Sequence, residues 1–494
     1  MSDSKASYRQ ILVSTSIVGG ATVASLVFGL VRSKIIALLV GPAGIGLFGV
    51  LNVLFNTGTT VVGLSLQSTG VRQVGATPVN SPERAKAETG LWLFAWLAAI
   101  IGGFAFWLFE RFVYIPGTPA LVGGPSFPWI ALAVSLGTLN GAQLVLLQVY
   151  GKIAAIAYVR LLGSFLSMVL AVLAVYLFGT TGLYLAVLAV PLSGITVAII
   201  WSRGMKRQLK TPLGRWVIRE WGTLIVMGVG LTAASITGNA SQLLLRLVIT
   251  DQGGLTATGL FQAAWTLTNV NLSVILSAMA VDYFPRLTAL ARYPDKLAET
   301  LNQQLHVALL LTGPILTFAV GFAPFLIRLL YSDSFAGASH LLQLQIAGDV
   351  LKLATWSMGY VLLALNATVG FFVAGVTFDI AIVILVWLLY PLIGLDSAGL
   401  GYIIALASSM IVSLVLIARH GITINRHNMI WMVTLFGCLI ILSLVSMYSV
   451  AVGIGLSLVM LASTLVIAWH EARRMDLPLP YRLRTLLRLG RSSS

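Results

Sequence analysis

Long apolar segments follow one another along almost the whole chain, and they limit its possible folds more than any other feature. Most run for about 20 residues or more, the length with which a helix crosses the roughly 30 Å of hydrocarbon in a bilayer. With 58% hydrophobic and only 9% charged residues, the chain has little sequence left for a soluble domain. The sequence therefore predicts an all-α polytopic membrane protein with about 14 transmembrane helices.

Charged residues, Pro and Gly delimit the predicted helices. They cover about 11–40, 44–70, 87–109, 125–150, 153–178, 182–203, 220–249, 256–284, 303–331, 341–366, 371–393, 399–419, 429–448 and 450–470.

Basic residues are distributed unevenly between the two sides of the membrane that this path creates. Most of the 30 Lys and Arg residues fall in the two termini and in the alternate loops that share their side, whereas the opposite loops contain Arg111 and four acids. An excess of Lys and Arg marks the cytoplasmic side. Both termini are therefore expected in the cytoplasm. The net charge of +15 is explained by topology and by affinity for anionic lipid head groups, so binding of nucleic acid is not expected.

The chain contains signs of an internal duplication. The first copy has Arg32, Gly46-Leu47-Phe48 and Arg72, and the second has Arg246, Gly259-Leu260-Phe261 and Arg286 in nearly the same spacing. Each copy comprises six predicted helices, so both enter the membrane in the same sense. We expect two six-helix lobes with a binding cavity between them.

The duplication predicts a division of the chain into five parts. These are an N-terminal lobe at 1–203, a basic cytoplasmic linker at 204–219, a C-terminal lobe at 220–420, two additional helices at 421–470 and a basic cytoplasmic tail at 471–494.

Arg32, Lys34 and Arg246 lie inside predicted helices near their outer ends. One interpretation is that their side chains reach the outer interface. The other is that they line a cavity that widens outward and binds an anion, which is supported by the matching places of the two arginines. A buried Arg or Lys is costly in hydrocarbon and typically faces protein or water.

Two further charged positions match between the copies. Arg160 and Asp379 lie at equivalent depths in the fifth and eleventh helices, which predicts either an ion pair between the lobes or one anion-binding and one cation-binding lobe. Asp349 lies three residues from Lys352, so it either forms a local ion pair or, like Asp379, is a candidate site for a coupling cation.

The region from Val31-Arg32-Ser33-Lys34 through Leu39-Val40-Gly41-Pro42-Ala43-Gly44-Ile45-Gly46-Leu47-Phe48, followed by Gln67-Ser68-Thr69-Gly70-Val71-Arg72, resembles a known family. This is the polysaccharide-transport branch of the multidrug/oligosaccharidyl-lipid/polysaccharide flippase superfamily, that is, the Wzx-type O-antigen flippases. The resemblance implies a V-shaped arrangement of the two lobes around a cationic cavity. In the related lipid II flippases an arginine corresponds to Arg32, which implies that Arg32 faces this cavity.

The resemblance also implies a function. It predicts an alternating-access flippase that moves undecaprenyl-pyrophosphate-linked oligosaccharide from the cytoplasmic to the periplasmic leaflet of the bacterial inner membrane, for O-antigen or other surface polysaccharide. Arg32, Lys34, Arg246 and Arg160 are then the candidates for binding pyrophosphate, and Gln67 and Asn56 for hydrogen-bonding the glycan. Besides this cargo and the lipid bilayer, Na⁺ or H⁺ as coupling ion and the polysaccharide polymerase machinery are candidate partners.

Two alternatives remain open at this point. A multidrug/cation antiporter of the same superfamily would carry cationic cargo, which a cavity with arginines disfavours. A membrane enzyme acting on prenyl-linked sugars is expected to carry a large outer loop with clustered catalytic residues, whereas the outer loops here are short and no P-loop or nucleophile motif occurs. We therefore expect a transport protein without enzymatic activity, catalytic residues, cofactor or metal.

Overall fold

The computed structural model of the protein describes residues 2–79, 81–112, 128–203, 214 and 216–474, and the regular structure within these ranges is helical throughout. The helices are α1 (Ser2–Gly63), α2 (Leu66–Gly75), α3 (Pro82–Phe112), α4 (Pro128–Val149), α5 (Ile153–Phe178), α6 (Gly182–Ser202), α7 (Trp216–Leu290), α8 (Pro294–Gly321), α9 (Ala323–Leu330), α10 (Ala338–Ala364), α11 (Thr368–Ile393), α12 (Ser397–Ala418), α13 (Arg426–Tyr448) and α14 (Val450–Arg474).

The protein is a multi-pass membrane protein. Nine helical segments in the described ranges are long and apolar enough to cross a membrane, or ten if the bent pair Trp216–Ala233 and Ser235–Ser277 of α7 counts as one span. Three of these segments are 57, 50 and 51 residues long, more than twice the roughly 20 residues that one crossing needs. The all-α polytopic fold is confirmed, while the total of about 14 crossings stays a prediction.

The two longest helices, α1 and α7, are each a hairpin. The backbone of α1 leaves the helical conformation at Gly41 (φ 66°), and that of α7 leaves it at Gly254 (φ 75°). In α1, the Arg32 guanidinium carbon lies 5.6 Å from the centre of the Phe48 ring, although sixteen residues of straight helix would separate them by about 24 Å. Each of the two helices therefore turns back at its glycine, because glycine readily adopts a positive φ.

Other turns repeat the correspondence between the halves. Gly151 and Asn366 both have positive φ (66° and 56°), and so do Gly179 and Gly394 (59° each). The second pair opens a short 3₁₀ turn in each half. Asn is the non-glycine residue that tolerates this region best, which explains how it replaces glycine in the second copy.

The lobes meet at the tips of the two hairpins, Gly41–Gly46 and Gly254–Gly259. A Cβ on Gly46 would overlap the carbonyl oxygen of Leu255, and one on Gly259 would overlap that of Pro42. Only glycine allows backbones to approach this closely. These glycines hold the two lobes in contact at the tips, which lie on the side predicted to be the outer one; a cavity that widens outward stays a prediction.

The lobes also meet at the opposite end, where the start of α7 lies against α2 and α3. The indole nitrogen of Trp221 donates to the carbonyl oxygen of Gly90 over 3.1 Å, and the hydroxyls of Ser65 and Thr232 lie 3.1 Å apart. The first part of α7, Trp216–Ala233, is bent by 45° from the rest. The first part of α7 therefore covers the end of the N-terminal half that lies opposite the hairpin tips.

The last two helices pack outside the duplicated halves, against α8 and α10. The Gln343 side chain of α10 donates to the Ser446 hydroxyl of α13 over 2.9 Å. The Ser457 hydroxyl of α14 donates to the Thr317 carbonyl of α8 over 3.0 Å. The five-part division itself stays a prediction. Most of its linker and almost all of its tail, residues 204–213, 215 and 475–494, lie outside the described residues.

Candidate functional site

A cavity of about 840 Å³ lies between the α1 and α7 hairpins, and we call it the central cavity. Its walls come from the second arm of α1, both arms of α7 and one residue of α11. Its polar lining consists of amides and hydroxyls with two charged residues: Asn52, Asn56, Thr60, Ser235, Asn239, Gln242, Arg246, Gln262, Thr266, Asn269 and Asp379. This lining is rich in hydrogen-bonding groups and poor in acids.

Two smaller cavities adjoin it. One of about 390 Å³ shares Thr60 and Ser235 with the central cavity and is lined by Gln67. The other, of about 270 Å³, shares Asn52 and Gln262 with it, and is lined by Arg32. Together they form one polar region that extends from the hairpins towards α2 and α4.

Arg246 is buried in the wall of the central cavity with 2% of its surface exposed. Its Nη1 donates to the carbonyl oxygen and to Oε1 of Gln242 (2.9 and 2.8 Å), and its Nε and Nη2 donate to Oε1 of Gln262 (3.0 and 2.8 Å). The Phe261 ring lies 5.4 Å from the guanidinium carbon. The four hydrogen bonds hold the guanidinium in one position. Because both glutamines are neutral, its positive charge has no counter-charge among them.

Arg32 occupies the equivalent place in the α1 hairpin and is held less tightly. Its Nη1 donates to the Ser167 hydroxyl over 2.9 Å, and the Phe48 ring lies 5.6 Å from its guanidinium carbon. Its Nε is buried and has no hydrogen-bond partner among the described residues. Since a guanidinium has five N–H donors, Arg32 retains several for a ligand.

The two arginines share a local arrangement that the duplicated Gly-Leu-Phe motif creates. In each copy the glycine packs at the hairpin tip, and the phenylalanine two residues later lies beside the arginine of the opposite arm. The sequence showed this motif as a repeat, but its contacts with the arginines require the hairpin, which spacing alone did not reveal.

Neither arginine has an acidic partner in the described ranges. The ion pairs there join other residues. A buried cation without a counter-ion is costly, and this cost falls when an anion binds. The site therefore favours a phosphate or another anion that offers several oxygen acceptors.

The structure does not bring Lys34 and Arg160 to the central cavity. The Lys34 ammonium donates to the carbonyl oxygen of Leu329 at the end of α9, over 2.5 Å. Arg160 is exposed, and its Nη1 donates to the hydroxyl of Thr22 over 3.1 Å. Residues two apart on a helix do not face each other, which explains why Lys34 lies away from the side of α1 that carries Arg32.

The remaining predicted site residues are Asn56, Asp379, Gln67 and Asp349, and they lie in three different places. Asn56 and Asp379 line the central cavity, and Gln67 lines its 390 Å³ neighbour. Asp379 is half-buried, and its backbone carbonyl accepts from the Ser241 hydroxyl over 3.1 Å. It forms no ion pair with Arg160 within the described ranges, so an ion pair between the lobes is not the explanation of these two charges.

Asp349 lies behind the wall of the central cavity and is fully buried. Its Oδ1 accepts from the Tyr402 hydroxyl over 2.9 Å, and its Oδ2 has no hydrogen-bond partner in the described part of the chain. The Tyr402 ring packs edge-on against Trp265, which lines the cavity. The described residues contain no ion pair between Asp349 and Lys352, whose ammonium lies 3.5 Å from Oδ1 of Asn269.

Comparison with known proteins agrees with this architecture. The family described as "Polysaccharide biosynthesis protein" matches residues 35–340. The chain belongs to this family. The matched region contains the tips and second arms of both hairpins and Arg246, whereas Arg32 lies three residues before it begins.

Relatives and solved structures extend the likeness. The chain is 23% identical over 360 residues to the lipid III flippases of Escherichia coli (strain K12) and Shigella flexneri, covering 72% of this chain and 85% of each relative. Its fold is similar to that of the lipid II flippase MurJ in an inward closed conformation (TM-score 0.71, 13% identity, 92% of this chain and 99% of MurJ). It is also similar to an inward-facing multidrug resistance MATE family transporter of the MOP superfamily (TM-score 0.61, 16% identity, 81% and 95%). The relatives are named as flippases and transporters rather than enzymes, as expected.

Several contacts at this site were not predicted from the sequence. Gln242 and Gln262 bind Arg246, Ser167 binds Arg32, and Tyr402 binds Asp349. The spacing of Gln242, four residues before Arg246, is the one signal that could have indicated its partner, because residues four apart are neighbours on a helix. The other contacts depend on how helices pack.

Proposed function

We propose that this protein is a flippase that moves an oligosaccharide linked to a polyprenyl lipid through pyrophosphate between the two leaflets of a bacterial inner membrane. The observation that carries the proposal is the pair of Arg32 and Arg246, placed equivalently in two hairpins, on connected cavities, without an acidic partner among the described residues. Such a pair of guanidinium groups provides planar donor sets for phosphate oxygens.

The two arginines have different roles in this proposal. Arg246 is fixed by four hydrogen bonds to Gln242 and Gln262 and supplies positive charge with at most one free N–H donor. Among the described residues Arg32 makes one hydrogen bond, to Ser167, and it supplies the directed hydrogen bonds to phosphate. Lys34 and Arg160 are less suitable for this role, because they bind Leu329 and Thr22 outside the central cavity.

The glycan is proposed to occupy the central cavity. Its volume of about 840 Å³ lies within the roughly 300–1,000 Å³ that ligand sites commonly offer. Asn56, Asn52 and Asn269 line it, and their amides both donate and accept hydrogen bonds, as sugar hydroxyls require. Gln67 extends this polar surface into the neighbouring cavity. The lipid tail stays in the bilayer.

Transport by alternating access would require the two lobe contacts to open in turn. The hairpin tips at Gly46 and Gly259 close one end of the cavity, and Trp221 and Thr232 of α7 contact the other lobe at the opposite end. By the distribution of basic residues, the tips face the periplasm and both termini lie in the cytoplasm. Release of cargo to the outer leaflet would then require the tips to separate.

A cation gradient is a candidate energy source. Asp379 is the acid that lines the central cavity, and Asp349 is the buried acid behind Trp265. Protonation or Na⁺ binding at Asp379 would change the charge of a cavity that also contains Arg246. We propose Asp379 as the first position to test, since its side chain lines the cavity.

Complementation tests the proposal. Strains that lack their own O-antigen flippase, and strains that lack the lipid III flippase, receive the wild type, Arg32→Ala or Arg246→Ala at matched membrane abundance. Arg328→Ala is the control, because Arg328 is exposed and pairs with exposed Asp333. We expect the wild type and the control to restore surface polysaccharide in at least one strain, and both cavity variants to fail.

The strain that is rescued identifies the cargo class. Full rescue by both cavity variants would overturn the role of the arginines. Rescue of drug resistance instead of polysaccharide would favour the cation antiporter. Recruitment of the polymerase machinery is tested in the same strains by the length of the polysaccharide chains.

A further inference from the structure

A second large cavity lies away from the hairpin tips, at the C-terminal end of α7. It has a volume of about 990 Å³ and lies between the end of α7, the start of α8, the start of α13 and the end of α14. We call it the lateral cavity. None of its described lining residues lines the central cavity or its two neighbours. Nothing in the proposed transport mechanism uses it.

The lateral cavity is acidic in a strongly basic protein. The chain has 15 acidic residues and a net charge of +15, and three of its acids, Asp282, Glu299 and Glu471, line this one cavity. Asp282 is paired with Arg286 over 3.1 Å. Glu471 is 20% exposed at its side chain; its Oε1 is paired with Arg474 over 3.3 Å, and its Oε2 lies 4.0 Å from the imidazole of His306. Glu299 has no ion-pair partner among the described residues. The local charge favours a ligand with a positive group.

One buried side chain in the wall lacks a hydrogen-bond donor. Asn428 is fully buried, and its amide nitrogen donates to the carbonyl oxygen of Asn302 over 2.7 Å. Its Oδ1 has no partner among the described residues. Buried polar atoms are nearly always paired in native proteins. A ligand with an N–H donor would satisfy this oxygen.

The other end of the lateral cavity is apolar and continues along the membrane-facing side of α8. Met279, Val307 and Leu311 line that end. Leu311, Ile315 and Phe318 are 55%, 41% and 41% exposed, and residues spaced by three or four lie on one face of a helix. A hydrocarbon chain that entered the cavity could follow this stripe into the bilayer.

Two histidines line the lateral cavity together with the acids. The rings of His306 and His427 are 5.3 Å apart, and both line the cavity with Arg286. These groups can donate hydrogen bonds to phosphate oxygens. The cavity therefore combines acceptors for a cation, donors for an anion and an apolar exit, which together match a zwitterionic lipid.

We propose that the lateral cavity binds a phospholipid with a primary ammonium head group, as in phosphatidylethanolamine. The ammonium lies between Glu471 and Oδ1 of Asn428, the phosphate faces His427, and one acyl chain follows α8. A primary ammonium has three N–H donors, whereas the quaternary ammonium of choline has none. The site therefore distinguishes the two head groups although their charges are equal. The bound lipid joins α13 and α14 to α8.

The test is lipid binding to the full-length protein, purified in detergent and observed by native mass spectrometry. The probes are phosphatidylethanolamine, phosphatidylcholine and phosphatidylglycerol with identical acyl chains. We expect about tenfold tighter binding of phosphatidylethanolamine than of phosphatidylcholine, the ratio expected when hydrogen bonds to charged groups are lost. Asn428→Leu and Glu471→Gln reduce this preference, while Asp333→Asn, an exposed acid elsewhere, leaves it unchanged.

Three results would overturn the proposal. Equal binding of the ethanolamine and choline lipids by the wild type would show that the lateral cavity does not recognise the N–H donors of the head group. This comparison does not depend on how any variant folds. Equally tight binding of soluble glycerophosphoethanolamine would show that the acyl chain is not part of the ligand. Displacement of phosphatidylethanolamine by polyprenyl phosphate at equal concentration would assign the cavity to the lipid of the cargo.

Discussion

Substitution of Gly259 by alanine tests how the cavity is closed at the hairpin tips. A Cβ at this position would overlap the carbonyl oxygen of Pro42, and backbone atoms cannot move aside as a flexible side chain can. Forcing one methyl group into a packed contact costs about 1–3 kcal/mol. The cost applies only to the state in which the tips touch, so the substitution favours the state in which they are apart.

A free-energy change of this size shifts a two-state equilibrium about 5- to 150-fold. The reporter is one cysteine in the central cavity, introduced by Asn56→Cys after Cys438, the one native cysteine, has been replaced by alanine. A membrane-impermeant maleimide is applied to the side of the tips, and the labelling rate is measured. While the open state is the minor one, this rate is proportional to its population. We therefore expect at least about fivefold faster labelling in Gly259→Ala.

Gly437→Ala is the matched control, because a Cβ at Gly437 meets no atom within 4 Å. Gly46→Ala should act like Gly259→Ala, since its Cβ would overlap the carbonyl oxygen of Leu255. The reasoning fails if Gly259→Ala labels no faster than Gly437→Ala while both proteins remain folded in the membrane. The contact at the tips would then not be the barrier that keeps reagent out of the cavity.

Two further predictions concern buried polar pairs. Tyr402→Phe removes the hydroxyl that donates to Asp349 and should lower stability by about 1–3 kcal/mol; an unchanged melting temperature in detergent would argue that Asp349 is neutral and needs no donor. Glu88→Gln breaks the ion pair with Arg84, in which the Glu88 side chain is 0% exposed and that of Arg84 5% exposed. This change should lower stability by about 3–5 kcal/mol. The exposed acid variant Asp333→Asn should lower stability by at most about 1 kcal/mol. An equal fall in melting temperature for Glu88→Gln and Asp333→Asn would contradict this difference.

The sequence predicted the fold well because membrane-spanning helices are specified locally. Length and hydropathy locate them, and the backbone must satisfy its own hydrogen bonds in lipid. Breaks inside two predicted helices were missed. The ninth predicted helix, 303–331, is divided at Phe322 into α8 and α9. The second predicted helix, 44–70, was continuous, whereas the structure separates α1 from α2 at Leu64 and Ser65, both with positive φ. Neither residue type indicates such a conformation, and Leu64 adopts it where its carbonyl oxygen packs against Gly228 of α7.

The candidate site was predictable only in part. Arg32 and Arg246 could be selected because a charge inside an apolar helix is costly wherever it lies. Lys34 was selected for the same reason, although helix geometry places it on another side than Arg32. The partners Ser167 and Gln262 could not be predicted, because they reach the arginines from a different helix and from across a hairpin turn. Such contacts depend on packing, which periodicity does not encode.

The neutral partners of the two arginines explain how a buried positive site can persist. A carboxylate beside Arg246 would neutralise the charge that an anionic ligand needs, whereas Gln242 and Gln262 satisfy most of its donors and leave the charge in place. A rigid donor set loses little conformational entropy when a ligand binds. In the other copy, Arg32 has one hydrogen bond and a partly open environment, so it can adjust to phosphate oxygens. The duplication therefore provides a fixed charge in the wall of the central cavity and an adaptable donor in the adjoining cavity, and under the proposed function an anion that reached both arginines would contact both lobes at once. In the proposed flippase, separation of the lobes would break the contact with one of the two arginines, and the cargo would then be held by the other alone and released more easily.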